Sequence, residues 1–258
     1  MMENGKVNMR LGADPETFLQ DTNGKPISAI GYIQADKWNP LQIPDMEKGF
    51  TLQEDNVSLE YGIPPASSAE EFVHHIQAVM ERSKEWVPGL SFSKLSCIVF
   101  PEDQMQHPLA HVFGCEPDWC AWTGKTNPKP VPPHPFLRSA GGHIHVETQE
   151  DKHQVVKGMD LFLGIPSVLM DEGEMRKQLY GKAGALRYKE YGVEYRTLSN
   201  FWIFKEELIK WVWRNTARAL ENVSMDYTPY ADEIQQAINN SDKALAKKLI
   251  DQFQLEVV

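Results

Sequence analysis

The stretch Arg138-Ser139-Ala140-Gly141-Gly142-His143-Ile144-His145-Val146 decides how the rest of the chain is read. His143 and His145 alternate with Ile144 and Val146, and residues two apart on a strand point to one face. A strand here turns two imidazoles to one surface and two aliphatic side chains to a core. Two imidazoles on one face bind a metal, or hydrogen-bond an anion when protonated. By themselves they also read as two partly exposed strand histidines, so the reading rests on what other segments bring to the same face.

Three other segments share this format. The run from Val7 to Leu19 predicts a strand carrying Asp14 and Glu16 two residues apart. Pro15 between them lacks an N–H and marks an edge strand or a bulge. From Asn56 to Tyr61 the pattern again alternates, with Asn56, Ser58 and Glu60 on the polar face and Val57, Leu59 and Tyr61 on the apolar one. That parity sends Asp55 to the apolar side unless a bulge intervenes, so Glu60 is the candidate ligand. In the last segment Val193 and Tyr195 alternate with Glu194 and Arg196, setting a carboxylate beside a guanidinium. If these strands share a sheet, one cleft gathers carboxylates, imidazole and arginine. Carboxylates with an imidazole suit hard divalent cations such as Mg²⁺ or Mn²⁺. Arginine beside them suits a phosphate that the metal also bridges. Together they describe metal–nucleotide phosphoryl chemistry, in which positioning and charge neutralisation supply most of the catalysis.

Composition narrows the field. Among 258 residues, 36 Asp and Glu against 26 Lys and Arg leave a net charge of −10. That excludes a general nucleic-acid or anionic-membrane binder, both of which demand a basic surface. The polar start MMENGKVNMR has no apolar signal core and no run reaches 18 apolar residues, so a cytoplasmic protein is expected. Cys97, Cys115 and Cys120 form no CxxC pair and are expected as reduced thiols. Ser67-Ser68-Ala69-Glu70-Glu71 offers two overlapping capping boxes for a helix running to about Trp86, on which His74 and His75 are ordinary boundary residues. A helix is expected over 151–170, kinked or split by Pro166, and an amphipathic one over 204–222. Two short polar helices, about 229–239 and 241–254, follow. Five prolines between Thr123 and Pro135 dictate an extended loop, either a lid or a surface crossing. Neither a GxxxxGK[ST] phosphate loop nor a Rossmann fingerprint occurs. Helices do not alternate regularly with strands, which favours an α+β fold with a mostly antiparallel sheet.

Six motifs now stand in order: Gly12-Ala13-Asp14-Pro15-Glu16, Asp55-Asn56 with Glu60, Phe113-Gly114-Cys115 with Pro117-Asp118, Arg138 with Ala140 to Val146, Tyr180-Gly181-Lys182-Ala183-Gly184 with Arg187, and Tyr191-Gly192-Val193-Glu194-Tyr195-Arg196. The composite resembles the HxH and ExR strands of the glutamine synthetase-like carboxylate–amine ligases, and within them it is similar to the phage-associated carboxylate–amine ligase type 2 group. The resemblance spans roughly residues 11 to 203. It implies a curved, mostly antiparallel sheet with helices on its outer face and the site on the concave face. Residues 1–222 would form the catalytic domain and 223–258 a helical extension packed on it. It further implies ATP-dependent amide or peptide-like bond formation through an acyl-phosphate, with divalent metals holding the ATP phosphates. Carried over position by position, Glu16, Glu60 and Asp14 look like metal ligands, His143 like the imidazole ligand, and Glu194 like the carboxylate of a neighbouring metal. His145 would contact phosphate or the substrate carboxylate. Arg196 would stabilise the transferring phosphoryl group with Arg187 as a second clamp, and Arg138 and Lys182 are further candidates for that work. Relatives commonly have Glu-x-Glu in the first strand, so the shorter Asp14 invites a water-mediated contact. Small-molecule or peptide carboxylates and amines would be the substrates; their identity and the oligomeric state stay open. A metal-dependent hydrolase using the same cluster, or a non-catalytic binding protein on this scaffold, is the alternative. Arg187 and Arg196 discriminate, because hydrolysis of an uncharged substrate has little use for them.

Overall fold

In β1 (Leu11–Gln20) alternate residues part to two faces: Leu11, Ala13 and Leu19 enter the main core, while Gly12, Asp14 and Glu16 look the other way. The same division runs through β2 (Thr51–Asp55), β3 (Ser58–Gly62), β4 (Gly142–Glu147), β5 (Ala185–Lys189) and β6 (Gly192–Tyr195). The computed structural model describes residues 9–112 and 118–258, with the backbone of residues 2–3 and 6–7. Phe113 to Pro117, most of the third motif and Cys115 with it, lie outside the described residues. The central strands run in the order β5-β6-β4-β1-β3-β2, with antiparallel neighbours throughout. Trp119–Cys120 and Lys125–Thr126 extend the sheet beyond β5, and Leu41–Gln42 extends it beyond β2. The fold is α+β with a large, mostly antiparallel open sheet.

The apolar face is covered by helices. Phe72, Ile76 and Val79 of α1 (Ala69–Ser83) pack with Leu208, Ile209 and Val212 of α4 (Glu206–Glu221) over Leu59, Tyr61, Ile144, Val146, Val193 and Tyr195. Each large apolar side chain buried there contributes about 1.5–3 kcal/mol. At the start of α1 the N-cap Ser68 accepts the Glu71 N–H, as its sequence predicts, while the Glu71 carboxylate accepts the N–H of Ser67, one residue before the cap. His74 is exposed, and His75 is buried against Phe50 with its Nδ1 3.0 Å from the Pro64 carbonyl. A smaller core of Phe18, Val57, Ile98, Phe100, Met105, Ala110 and Ala140 sits on the opposite face at one end of β1.

The helix expected over 151–170 is interrupted before Pro166, not at it. From α2 (Lys152–Met159) the chain passes through a π turn, Asp160–Gly164, into α3 (Ile165–Met170). Pro166 has no N–H for the carbonyl four residues back and its ring crowds that carbonyl, so the Ile165 N–H reaches the Asp160 carbonyl across five residues instead. The wider turn carries the buried Asp160 carboxylate, which accepts from Trp122 Nε1 (2.7 Å), the Gly184 N–H (2.6 Å), Tyr195 Oη (2.9 Å) and Thr197 Oγ1 (3.2 Å). Burial still pushes Asp160 up to about 6. α5 (Ala231–Asn239) and α6 (Lys243–Phe253) close the chain, with Ile234, Ala237, Ile238, Ala246 and Leu249 in the main core. Among the described residues no helix is long and apolar enough to cross a membrane.

Two strand expectations need correction. Pro15 does not lie on an edge: Gly142 stands opposite it on β4, and β1 pairs with β3 on its other side. The other reading, a bulge, holds: the register toward β3 slips by one residue between Glu16↔Glu60 and Leu11↔Ala66. The strand read from Asn56 instead starts at Ser58. Asn56 (φ 59°) and Val57 form the two-residue turn of the β2–β3 hairpin, a left-handed position that asparagine tolerates. Asp55 pairs with Ser58, and Gln53 with Glu60, so Asp55 shares the polar face that the sequence parity denied it.

Candidate active site

The register assembles the polar face. Arg187 stands opposite Glu194, Glu194 opposite His145, His143 opposite Asp14, and Glu16 opposite Glu60. The two glycines before His143 are steric requirements of this packing. A β-carbon on Gly141 would overlap the His143 ring, and one on Gly142 would overlap the Ser199 carbonyl and Trp202 Nε1. The Gly141 N–H also donates to Glu16 Oε2 at 2.8 Å.

Two groups of side chains converge here. Glu16, Asp55 and Glu60 bring carboxylate oxygens within 4.8 Å of one another, and so do the ligand atoms of Asp14, His145 and Glu194. Neighbouring strand positions Asp14 and Glu16 place the groups side by side. A cleft of about 240 Å³ is lined by Glu16, Asp55 and Glu60 and by Asp14 of the second group, together with Lys37, Gln53, His143, Arg187, Lys189 and Arg196.

The two groups differ electrically. Burial, with Asp55 close by, pushes Glu16 up to about 7. Burial and the carboxylates of Asp14, Asp55 and Glu16 hold Glu60 well above the usual range, and burial raises Asp55. In the second group burial would raise Asp14, but His145 and His143 outweigh it and hold it well below the carboxylate range. Burial and Asp14 push Glu194 upward; Arg196, His143 and His145 pull it down further, to about 2. His143 is pushed down to about 4 by burial and Arg196, whereas the Asp14 carboxylate overcomes burial to raise His145.

Each imidazole has its own surroundings. His143 Nδ1 lies 3.3 Å from Asp14 Oδ1, 3.7 Å from Glu194 Oε1 and 3.3 Å from an Arg196 terminal nitrogen. His145 Nε2 lies 3.1 Å from Asp14 Oδ2, and its Nδ1 is 2.7 Å from Tyr191 Oη, with the Tyr191 ring stacked on the imidazole. His145 forms a ligand-sized group with Asp14 and Glu194, and His143 Nδ1 faces the same two carboxylates.

Cations frame Glu194, which is fully buried. Arg196 pairs with it through a terminal nitrogen, Lys189 Nζ lies at 2.8 Å and Arg187 at 3.5 Å. Arg196 also reaches Asp118, whose Oδ2 is 3.6 Å from its Nε. Of the other proposed phosphate contacts, Arg138 lines a small pocket shared with Glu16, Asp55, His143 and Arg196, and Lys182 lies apart. Arg138 directs its guanidinium at the carbonyls of Ala110, Pro135 and Leu137. Lys182 is exposed beside a separate groove under the proline-rich loop.

The donor set fits hard divalent cations. One group is all carboxylate oxygen, the other two carboxylates and an imidazole, and no described cysteine joins either. Asp14 Oδ1, His145 Nε2 and Glu194 Oε2 are buried without a well-directed hydrogen bond, although ion-pair neighbours lie within 4 Å. Sequence reasoning missed Asp55, Asp118, Tyr191 and Lys189. The Asp55-Asn56 pair was itself the usable signal, since asparagine in a two-residue turn makes both flanking strands start afresh in parity.

Comparison with known proteins matches the C-terminal half of the chain to a family. No curated protein matches the chain. Residues 130–257 match the family model of the phage phiEco32-like COOH.NH2 ligase-type 2 proteins, a span that takes in β4, β5, β6 and the C-terminal helices. The chain belongs to the phage phiEco32-like COOH.NH2 ligase-type 2 family.

Proposed function

We propose that this protein is an ATP-dependent carbon–nitrogen ligase built on a glutamine synthetase-like catalytic sheet, which joins a carboxylate to an amine through an acyl-phosphate. The observation that carries the reading is the pair of adjoining ligand groups, Glu16/Asp55/Glu60 and Asp14/His145/Glu194, with Arg196 and Arg187 at their border. A ligase of this type must hold a polyphosphate, neutralise it and exclude water from the activated carboxylate. Five carboxylates alone would repel ATP. Mg²⁺ or Mn²⁺ held by the two groups would reverse that charge and polarise the phosphoryl oxygens.

The chain's own residues supply the rest. Arg196 is almost fully buried and fixed against Glu194 and Asp118, so its guanidinium is oriented before substrate arrives. It is suited to the γ-phosphoryl group as charge develops, with Arg187 as a second clamp. The depressed His143 stays neutral and does not add repulsion to that arginine. His145 takes the ligand role that the resemblance gave to His143, and His143 takes the place beside the phosphoryl group. Asp14 reaches both imidazoles and serves either directly or through water.

The test is ADP release from Mg-ATP over a panel of carboxylates, with hydroxylamine trapping the acyl-phosphate as a hydroxamate. A carboxylate that stimulates ADP release and yields a hydroxamate supports the reading. Absence of turnover with every carboxylate, together with metal-dependent hydrolysis of an ester or amide, would establish a hydrolase instead.

A further inference from the structure

We propose that the groove beneath the proline-rich loop binds the amine substrate, and that this substrate is zwitterionic: an amino acid or short peptide presented amine first. The proposal rests on the ligase reading above and adds the substrate class.

The groove encloses about 400 Å³, within the range of small-molecule sites, and is separate from the carboxylate cleft. Pro128, Pro130 and Val131 of the loop form one wall and Leu179 and Ala185 the other, an apolar lining suited to an aliphatic stem. Asp118 is the one carboxylate among its described lining residues. Its Oδ2 lies 3.6 Å from Arg196 Nε, so this half-buried end of the groove abuts the arginine that borders both ligand groups. Tyr180 lines the groove and also the small pocket holding Glu16, Asp55, His143 and Arg196, which makes the two spaces neighbours. Lys129 and Lys182, both exposed, line it as well.

The groove's charged lining is therefore one half-buried carboxylate and two exposed ammonium groups. A ligand carrying both an ammonium and a carboxylate matches that set. A simple alkylamine lacks a group for the lysines, and a fatty carboxylate has nothing to offer Asp118. This gives Lys182 a contact with substrate in place of the phosphate contact implied by resemblance.

Calorimetric titration of the full chain, with Mg-ADP present and absent, tests the match with four probes: 6-aminohexanoate, trialanine, hexylamine and hexanoate. The expected result is at least tenfold tighter binding of a zwitterion than of hexylamine or hexanoate, and the tighter zwitterion tells a free amino acid from a peptide. Asp118→Asn should weaken the zwitterion about tenfold, the worth of one charge-assisted hydrogen bond, while the hexanoate Kd reports that the groove is still folded. Hexanoate binding as tightly as 6-aminohexanoate, an Asp118→Asn variant with unaltered zwitterion affinity, or no binding by any probe would overturn the proposal. Hydroxamate formation from Mg-ATP decides the ligase reading separately, because hydroxylamine needs no such groove.

Discussion

His145 is held from both ring nitrogens, and that makes it a test of single-residue positioning. For Nε2 to ligate a cation set among Asp14, Glu194 and its own ring, Nδ1 must carry the proton and donate it to Tyr191 Oη. Tyr191→Phe keeps the stacked ring and removes the acceptor, so Mn²⁺ affinity should fall about tenfold, measured by electron paramagnetic resonance of free Mn²⁺. An unaltered Kd would show that the hydroxyl does not set the tautomer. Glu16 and Glu60 give a second expectation. With Glu16 pushed up to about 7 and Glu60 held well above the usual carboxylate range by burial and its carboxylate neighbours, a divalent ion that binds there must displace protons. Mn²⁺ affinity should then rise from pH 6 to pH 8, up to about tenfold per unit for each proton released, and calorimetry in buffers of different ionisation enthalpy counts those protons. The sign for stability follows: raised carboxylates favour the folded state at low pH and lose that contribution as pH climbs through about 7. His143, pushed down to about 4, acts in the opposite sense, but its gain is complete by about pH 6.5. Arg196 supplies the third expectation. Lysine cannot satisfy Glu194, Asp118 and a phosphoryl oxygen from one planar group, so Arg196→Lys should lower ATP turnover by about a hundredfold or more, read as ADP release.

At the level of the element, β4 shows what sequence parity reads well and what it misses. Alternation placed His143 and His145 on one face and Ile144 and Val146 in the core, as it did for Asp14 and Glu16 on β1 and Glu194 on β6. That much is local: side chains two apart share a face whatever the tertiary context. Parity does not survive a turn, and the Asn56–Val57 turn hid Asp55 because both hairpin strands begin counting there. Nor can parity divide labour between two imidazoles on one face, since His145 gains its carboxylates from the register with β6 and from Tyr191 at the β5–β6 turn. The groove under the proline-rich loop was beyond reach for a related reason, its walls coming from segments 126–131 and 178–185 with no periodic pattern. The glycine pair that opens β4 gives the element its own prediction. Gly142→Ala drives a β-carbon into the Ser199 backbone and the Trp202 indole, neither of which can yield cheaply. It should cost about 1–3 kcal/mol in urea unfolding. A neutral result would mean that β4 shifts as a unit.

Across the whole molecule, the C-terminal helices share the core beneath the sheet. Tyr227, Ile234, Ile238 and Leu249 are buried with Trp211 and Val212, Trp211 Nε1 donates to the Glu256 carbonyl, and Arg214 pairs with the Glu256 carboxylate. A chain ending at residue 222 should therefore lose its single cooperative transition in thermal unfolding, and a sharp transition in that fragment would show that 223–258 is an appendage. Asp160 joins the helical layer to the sheet, and Asp160→Ala, which strands four donors in the interior, should cost about 3 kcal/mol or more in urea unfolding. One further consequence lies in β1. Asp14 and Glu16 sit on the same strand and serve different ligand groups, so a one-residue slip of β1 would swing both into the helical layer at once. On the proposed reading the two cation sites would be mechanically ganged: whatever loosens β1 would discharge both ions together, and loading would behave as a single latch.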